Sequence, residues 1–381
     1  MDFSWSPEQI ELKRAVEEFA RNELNDAIIE RDHRGEFSAK AWAACARFGI
    51  QGLPFPAEYG GGGSDILTTI LVMEALGYAC RDNGLLFAIN AHMWSGALPL
   101  LVFGTESQKR RHLPPMCNGE IISGNGSTEP DSGSDVFAMR TTAEKRDGRY
   151  VLNGSKMFVT NASMAGLLIV YARLAGSRGI AGLCAFLVEK SFPGFGIGKE
   201  IEKMGLRTSP MSEVILQDCE VPEANRLGPE GAGMAVFNCS MEWERACILA
   251  SNIGTMERQL ESCVSYARSR RQFGKPIGSF QSVSNRIADM KVRIETGRML
   301  LYKFGWLVHH GHKAHLEAAL SKLYISEAFV SSCLDAVQIH GGYGYTTEFE
   351  HERMLRDSVA GRIFSGTNEI QKNIIARLLG L

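Results

Sequence analysis

Arg149–Ala162, RYVLNGSKMFVTNA, holds two short apolar runs, Tyr150-Val151-Leu152 and Met157-Phe158-Val159, on either side of Asn153-Gly154. The pattern predicts two strands joined at a hairpin-type turn, and Asp147-Gly148 just upstream is a second turn signal. Outward from here, Leu167–Tyr171, Leu183–Val188 and Val214–Leu216 are further candidate strands. Nothing helical of useful length lies between them. Residues 121–229 therefore predict an antiparallel β-domain and not a βαβ fold.

The flanks read differently. In residues 1–120, Ser6-Pro7-Glu8-Gln9 is a capping box with proline at the first helical position. Ile10, Leu12, Val16, Phe19, Ala20 and Leu24 follow at helical spacing. The glycine-rich loop from Pro54 to Asp65 closes one helical block, and a second starts near Ile66 and includes the apolar run Gly84–Val102. From 230 to 381 the helical period returns over Ala232–Arg268, Phe280–His309, Ala314–Gln338 and Asn368–Leu379, the pattern of an antiparallel bundle. Three domains are expected: 1–120 helical, 121–229 β, 230–381 helical.

Whole-chain totals exclude several classes. At 381 residues and net charge −2, the chain offers no electrostatic case for nucleic acid or membrane binding. No apolar run is expected to reach the ~20 residues of a bilayer span. The start, MDFSWSPEQI, is too acidic and polar for a signal peptide. Nine scattered cysteines without a C-x-x-C pair fit free thiols in a reducing cytosol, so a cytoplasmic location is expected. Lys109-Arg110-Arg111 reads as a solvated helix face.

Several clusters invite a chemical reading. His309-His310-Gly311-His312, with His315 after it, is tempting as a metal site, but it reads as a polar inter-helix turn, and no metal is expected. A complete G-x-G-x-x-G, a Walker loop and G-x-S-x-G are absent, which disfavours the usual nicotinamide enzymes. Thr128–Asp135, TEPDSGSD, is by itself a polar turn. Arg268–Lys275, RSRRQFGK, is either a basic helix end closed by glycine or a charge fork for a phosphate. Gln338–Gly342, QIHGG, ends a helix, and its glycines either cap it or let a ligand approach the backbone.

In order and spacing, these segments together resemble the acyl-CoA dehydrogenase superfamily over essentially the whole chain. TEPDSGSD is followed by NGSKMFVTNA, KMGLRTSP, VPEANRLG, ARSRRQFGKPIGSFQ, QIHGGYGY and RDSVAGRIFSGTNEIQ. The resemblance implies an α+β fold: an N-terminal helical domain, a middle antiparallel β-barrel and a C-terminal four-helix bundle. It also implies FAD. By position, Ser127, Thr128 and Ser134 would line the flavin and substrate cleft. Phe158, Val159 and Thr160 would flank the flavin ring, with Phe158 where many relatives carry tryptophan. Arg270, Gln272, Phe273, Gln281, Gln338, Gly341 and Gly342 resemble residues that hold the cofactor tail, several of them reaching a neighbouring subunit's FAD, so a homo-oligomer, usually a tetramer, is implied. Thr367 and Glu369 would lie along the adenosine side. Ser134 and Arg245 are expected to face substrate.

The family's chemistry needs a base for the α-proton of a thioester. Many relatives carry that carboxylate just before Gly366-Thr367, where this chain has Ser365. A serine hydroxyl is far too weak a base at neutral pH without a partner. Glu244 shares a helical face with Ser240, Met241, Cys247 and Ile248, whereas Glu242 projects elsewhere. Burial on that face would raise its pKa and strengthen it as a base. A subset of the family places its base on this helix, and Glu244 falls at that position; the structural alternative is a solvated charge beside Arg245 or a buried ion pair. SMEWERACILA, TMERQLE and IFSGTNEIQKNIIARLLGL look most like the prolyl-carrier-protein dehydrogenases and oxidases of natural-product pathways. That branch implies L-proline on the phosphopantetheine arm of an acyl carrier protein. A short-chain or branched acyl-CoA dehydrogenase is the alternative, and a carrier-binding module that has lost FAD is a third reading.

Overall fold

In the computed structural model, which describes residues 4–177 and 179–381, seven helices come first. They are α1 (Pro7–Glu23), α2 (Ile28–Arg34), α3 (Ala39–Phe48), α4 (Ile66–Ala79), α5 (Asn83–Asn90), α6 (Leu98–Phe103) and α7 (Glu106–Cys117). Met1–Phe3, the first residues of the polar N-terminal stretch, lie outside the described residues. The Ser6–Gln9 capping box forms in both directions at α1, and Thr105 and Gln108 make a second at α7. In the glycine-rich loop a Cβ on Gly61 would lie 2.1 Å from the Phe55 carbonyl, so only glycine fits that crossing. The expectation about apolar runs is corrected here. Asn83–Phe103 is continuous through α5, a π-helical turn (Ala91–Ala97) and α6, and its 21 residues are long and apolar enough to cross a membrane. Almost all of these residues are buried in the protein core.

The middle segment forms one eight-stranded sheet. Its strands are β1 (Ser123–Gly126), β2 (Thr142–Arg146), β3 (Arg149–Thr160), β4 (Leu167–Leu174), β5 (Leu183–Glu189), β6 (Phe195–Glu200), β7 (Met211–Pro222) and β8 (Arg226–Leu227). The order is β6-β7-β3-β2-β4-β5-β8, with β1 beside β4. Most pairs are antiparallel, but β1 and β2 run parallel to β4. Asp147 and Gly148, both left-handed, form the two-residue turn between β2 and β3. Asn153-Gly154 makes no turn. Both residues lie inside β3, where Asn153 pairs with Thr142 and the register against β7 slips between Leu152 and Gly154. The asparagine-glycine signal marks a bulge, the other use of a strand glycine.

Side-chain alternation explains the unbroken apolar run of β4. Leu168, Val170 and Ala172 face the sheet's own core with Tyr150, Val159 and Phe186. Leu167, Ile169 and Tyr171 face the helices and join their core.

The last segment holds α8 (Gly233–Cys247), α9 (Ala250–Ser269), a hairpin of β9 (Arg271–Gln272) and β10 (Lys275–Pro276), α10 (Gln281–His309), α11 (His315–His340), α12 (Gly342–Tyr345), α13 (His351–Val359) and α14 (Asn368–Leu378). The expected Ala232–Arg268 helix breaks at a turn over Ile248-Leu249 into α8 and α9. Helix α4 packs directly on α9. A Cβ on Gly77 would meet the Ser251 carbonyl at 1.8 Å, and one on Gly254 the Glu74 carbonyl at 1.9 Å. One apolar core therefore runs through both helical segments.

Among the described residues no group of three or more histidine, cysteine or carboxylate side chains is arranged to hold a metal. His310 bonds the Trp306 carbonyl through Nδ1 at 2.8 Å, and His315 Nδ1 lies 3.0 Å from Glu242. All nine cysteines are free. Arg110 and Arg111 pair with Glu106 and Glu189 at 2.6 and 2.7 Å.

Candidate active site

Glu244 sits on α8 where that helix meets the π-helical turn. Trp94 of the turn and Trp243 of α8 stack with ring centroids 5.7 Å apart, fixing the two backbones. Their chain neighbours then meet: Ser95 donates its hydroxyl hydrogen to Glu244 Oε1 at 2.8 Å. π-helical turns insert a residue and re-aim side chains, and they recur at functional sites. Here the turn aims the Ser95 hydroxyl at the carboxylate.

Glu244 is 8% exposed. Burial pushes its carboxyl up to about 7, opposed by the Ser95 hydrogen bond, by Arg245, and by the hydroxyls of Ser365 and Ser240. Among the described residues no cation lies within ion-pair distance of it, and Oε2 is buried without a partner. Glu242, by contrast, pairs with His315 at the edge.

Ser365 answers to the same place. Its backbone is left-handed (φ 53°), and Gly366 after it is too (φ 83°). The Ser365 carbonyl accepts from Arg245 Nε at 3.4 Å and from Gln371 Nε2 at 3.3 Å. Among the described residues the buried Ser365 hydroxyl makes no hydrogen bond of good geometry, and it lies close enough to Glu244 to act on its carboxyl. The helix position and the loop position thus converge on one spot, and the charge comes from the helix.

Strand β1 forms the opposite wall. Ser123 donates its backbone N–H to His92 Nδ1 at 3.1 Å, and His92 Nε2 bonds the Met116 carbonyl at 3.0 Å. Burial lowers His92 to about 4, so it is neutral and ties β1 to the π-helical turn. A Cβ on Gly96 would fall 2.0 Å from Ser123 Oγ, so glycine permits this approach. Two residues on, Asn125 faces the same side as Ser123.

The loop after β1 is held by a buried pair. Lys156 Nζ donates to Glu129 Oε1 at 2.6 Å, and Glu129 also accepts from the backbone of Arg140 and Thr141. The Thr128 carbonyl accepts from Met157 N at 2.9 Å. Ser127 and Thr128 therefore lie beside the second irregularity of β3, between Lys156 and Val159. There Phe158 is left-handed (φ 58°) and 55% exposed, while Val159 turns into the sheet core and presents only backbone outward. Thr160 is half-buried and Ser134 is exposed.

Most of the remaining expected residues are exposed. Phe273, left-handed at the hairpin tip, is 92% exposed, with Arg270, Gln272 and Gln281 around it. Gln338 and Gly341 lie at the end of α11 and Gly342 starts α12, and a Cβ on either glycine would meet nothing within 4 Å. Thr367 caps α14 by accepting from Ile370 N, and Glu369 is exposed in its first turn. Among the described residues, none of these side chains bonds to the Glu244 cluster.

Three domain families match in sequence: acyl-CoA dehydrogenase N-terminal domain over residues 6–120, middle domain over 124–219 and C-terminal domain over 231–380. The chain belongs to the acyl-CoA dehydrogenase family. Within that family it is 44% identical, over all of both chains, to an L-prolyl-[peptidyl-carrier protein] dehydrogenase of Pseudomonas fluorescens. Among solved acyl-CoA dehydrogenase folds it superposes on the prolyl acyl carrier protein oxidase AnaB with TM-score 0.98 and 49% identity, covering 99% of this chain and 100% of that one. PigA, solved with FAD and proline, gives TM-score 0.97 and 42% identity over the full length of both.

Sequence reasoning missed four polar residues of the site: Ser95, Asn125, Tyr171 and, as anything beyond a face-sharing neighbour, Ser240. Ser95 and Tyr171 each look like an isolated hydroxyl in an apolar run. Only the turn of π-helix brings Ser95 to Glu244, and only the packing of β4 on α8 brings Tyr171 there.

Proposed function

We propose that this chain is an FAD-dependent enzyme that dehydrogenates an acyl thioester carried on a phosphopantetheine arm, with L-prolyl carrier protein as its substrate. The relatives named above support that substrate and cofactor, and the buried, unpaired Glu244 is the observation that carries the chemistry. We assign Glu244 as the catalytic base. A carboxylate at about 7 is half ionised at neutral pH and is a stronger base than a solvated one. Ser95 fixes one oxygen, leaving Oε2 free to take the α-proton.

The donor set fits FAD. An exposed guanidinium (Arg270), three exposed carboxamides (Gln272, Gln281 and Gln338) and the open Gly341-Gly342 backbone suit a dinucleotide tail. The hydroxyls of Ser127, Thr128 and Thr160, with the outward Phe158, suit a polar-edged planar ring. When bound, FAD supplies the hydride acceptor. Ser134 and Arg245 flank the substrate path, and Thr367 and Glu369 the adenosine side. The two exposed sets lie on the surface of a single chain, which favours a homo-oligomer, a tetramer, that brings them to a neighbour's cofactor. The carrier protein is the docking partner and the cytoplasm the setting.

The test is anaerobic flavin bleaching by prolyl-carrier protein and, separately, by isovaleryl-CoA. Bleaching by the carrier-bound prolyl thioester at least about tenfold faster is expected. The reverse preference assigns the chain to acyl-CoA degradation, and a colourless protein with no flavin absorption removes the enzyme reading.

A further inference from the structure

We propose that Asn125 and Tyr171 form the subsite for the ring nitrogen of the prolyl group, and so decide that an amino-acyl ring is accepted over a carbocyclic or branched one. This inference rests on the prolyl reading above and deepens it.

Asn125 on β1 pairs with Ile169 of β4, and Tyr171 lies two residues further along β4 on the same face. Both side chains point at the seam between sheet and helices. The edge of Phe237 from α8 packs on the Tyr171 ring with centroids 5.7 Å apart and planes at 89°, holding the phenol in place. Phe237, Ser240 and Glu244 recur at helical spacing, so one face of α8 presents the packing ring, a hydroxyl and the base to the two strands. The phenol lies beside the Asn125 carboxamide and feels the Glu244 charge.

These polar atoms are left incomplete by the chain. Among the described residues, both carboxamide atoms of Asn125, the Tyr171 hydroxyl, Ser240 Oγ and Glu244 Oε2 are closed off from solvent and make no hydrogen bond of good geometry, although Asn125 lies close enough to Tyr171, and Ser240 to Glu244, to interact weakly. Each such group costs about 1–3 kcal/mol if it stays unsatisfied. An apolar acyl chain would leave them so, whereas a ring amine would not. Asn125 and neutral Tyr171 can each donate and accept, which suits a secondary amine in either protonation state. Geometry adds a second argument. In a prolyl thioester the ring nitrogen and the departing proton sit on the same carbon. A receptor for the nitrogen must therefore adjoin the base, and the Asn125–Tyr171 pair does.

The test compares carrier protein loaded through a non-reactive amide with a prolyl or a cyclopentanecarbonyl group, which differ only in the ring N–H. Calorimetric Kd values are measured for wild type, Tyr171→Phe and Asn125→Leu, with anaerobic flavin bleaching by the matching thioesters beside them. Wild type should prefer the prolyl group by about tenfold or more, and each variant should bring that ratio below about threefold with carbocycle binding unchanged or tighter. Equal weakening of both ligands, or an intact ratio, overturns the proposal and makes the pair a structural or water-holding one. If wild type turns over prolyl-carrier protein yet shows no preference over the carbocycle, the subsite falls and the functional reading stands. If wild type is bleached only by isovaleryl-CoA, both fall. Should Asn125→Leu fail to fold, Tyr171→Phe, which removes one oxygen atom, carries the ratio test.

Discussion

Glu244 and Ser365 share one spot in space, and only one of them carries a charge. Glu244→Gln keeps the shape and the Ser95 contact while removing the carboxylate we assign as the base. The variant should keep its flavin absorption and bleach at least about a thousandfold more slowly with substrate. Its stability should depend on pH in a defined way. The folded-state pKa is raised, from 4.5 to about 7, so the carboxyl's contribution is intact below about 4.5 and is lost as pH rises through about 7. Above that window the wild type is weakened by about 3 kcal/mol, so Glu244→Gln should melt higher at pH 8 and equally at pH 4. A wild-type rate that rises toward pH 7 and then levels is the matching kinetic signature; equal melting of the two proteins at pH 8 would contradict a buried, unpaired carboxylate. Glu244 is legible in sequence because its neighbours on a helix can be counted. Asn125 and Tyr171 are not, because their meaning depends on a strand pairing between distant segments.

At the scale of elements, helix starts are well marked in the sequence and strand irregularities are not. Ser6 and Pro7 mark the start of α1 by local chemistry alone. Asn153-Gly154 carries the same signal as a hairpin turn, yet β3 runs straight through it, because pairing with β2 and β7 on either side outweighs a two-residue preference. The bulge has a function in packing: a Cβ on Gly154 would meet Thr141 Oγ1 at 2.5 Å, and Thr141 in turn bonds Glu129 in the loop beside the site. Gly154→Ala should therefore cost about 2–4 kcal/mol. Gly148→Ala, also at positive φ but in open space, should cost about 1 kcal/mol. Urea midpoints of the two variants check the contrast, and equal losses would mean that the clash at Thr141 is relieved at little cost.

At the scale of the whole molecule, the three sequence segments are legible from composition, but their union is not. Gly77 and Gly254 let α4 and α9 touch backbone to backbone, so the first and last segments share a core. The exposed tip at Phe273, with Arg270 beside it, is the surface we assign to a neighbouring copy and its cofactor. Phe273→Asp should lower the mass seen in sedimentation and the bound flavin together. Loss of neither would remove that surface from the assembly.

The continuous helical stretch Asn83–Phe103 has one more consequence, for synthesis. It leaves the ribosome well before α8, whose Trp243 and Glu244 close over its π-helical turn. At ordinary translation speeds that interval is on the order of ten seconds. For that time the nascent chain displays a segment that membrane-targeting factors are built to recognise. The stretch that brings Ser95 to Glu244 thus also needs chaperone shelter while the chain is being made.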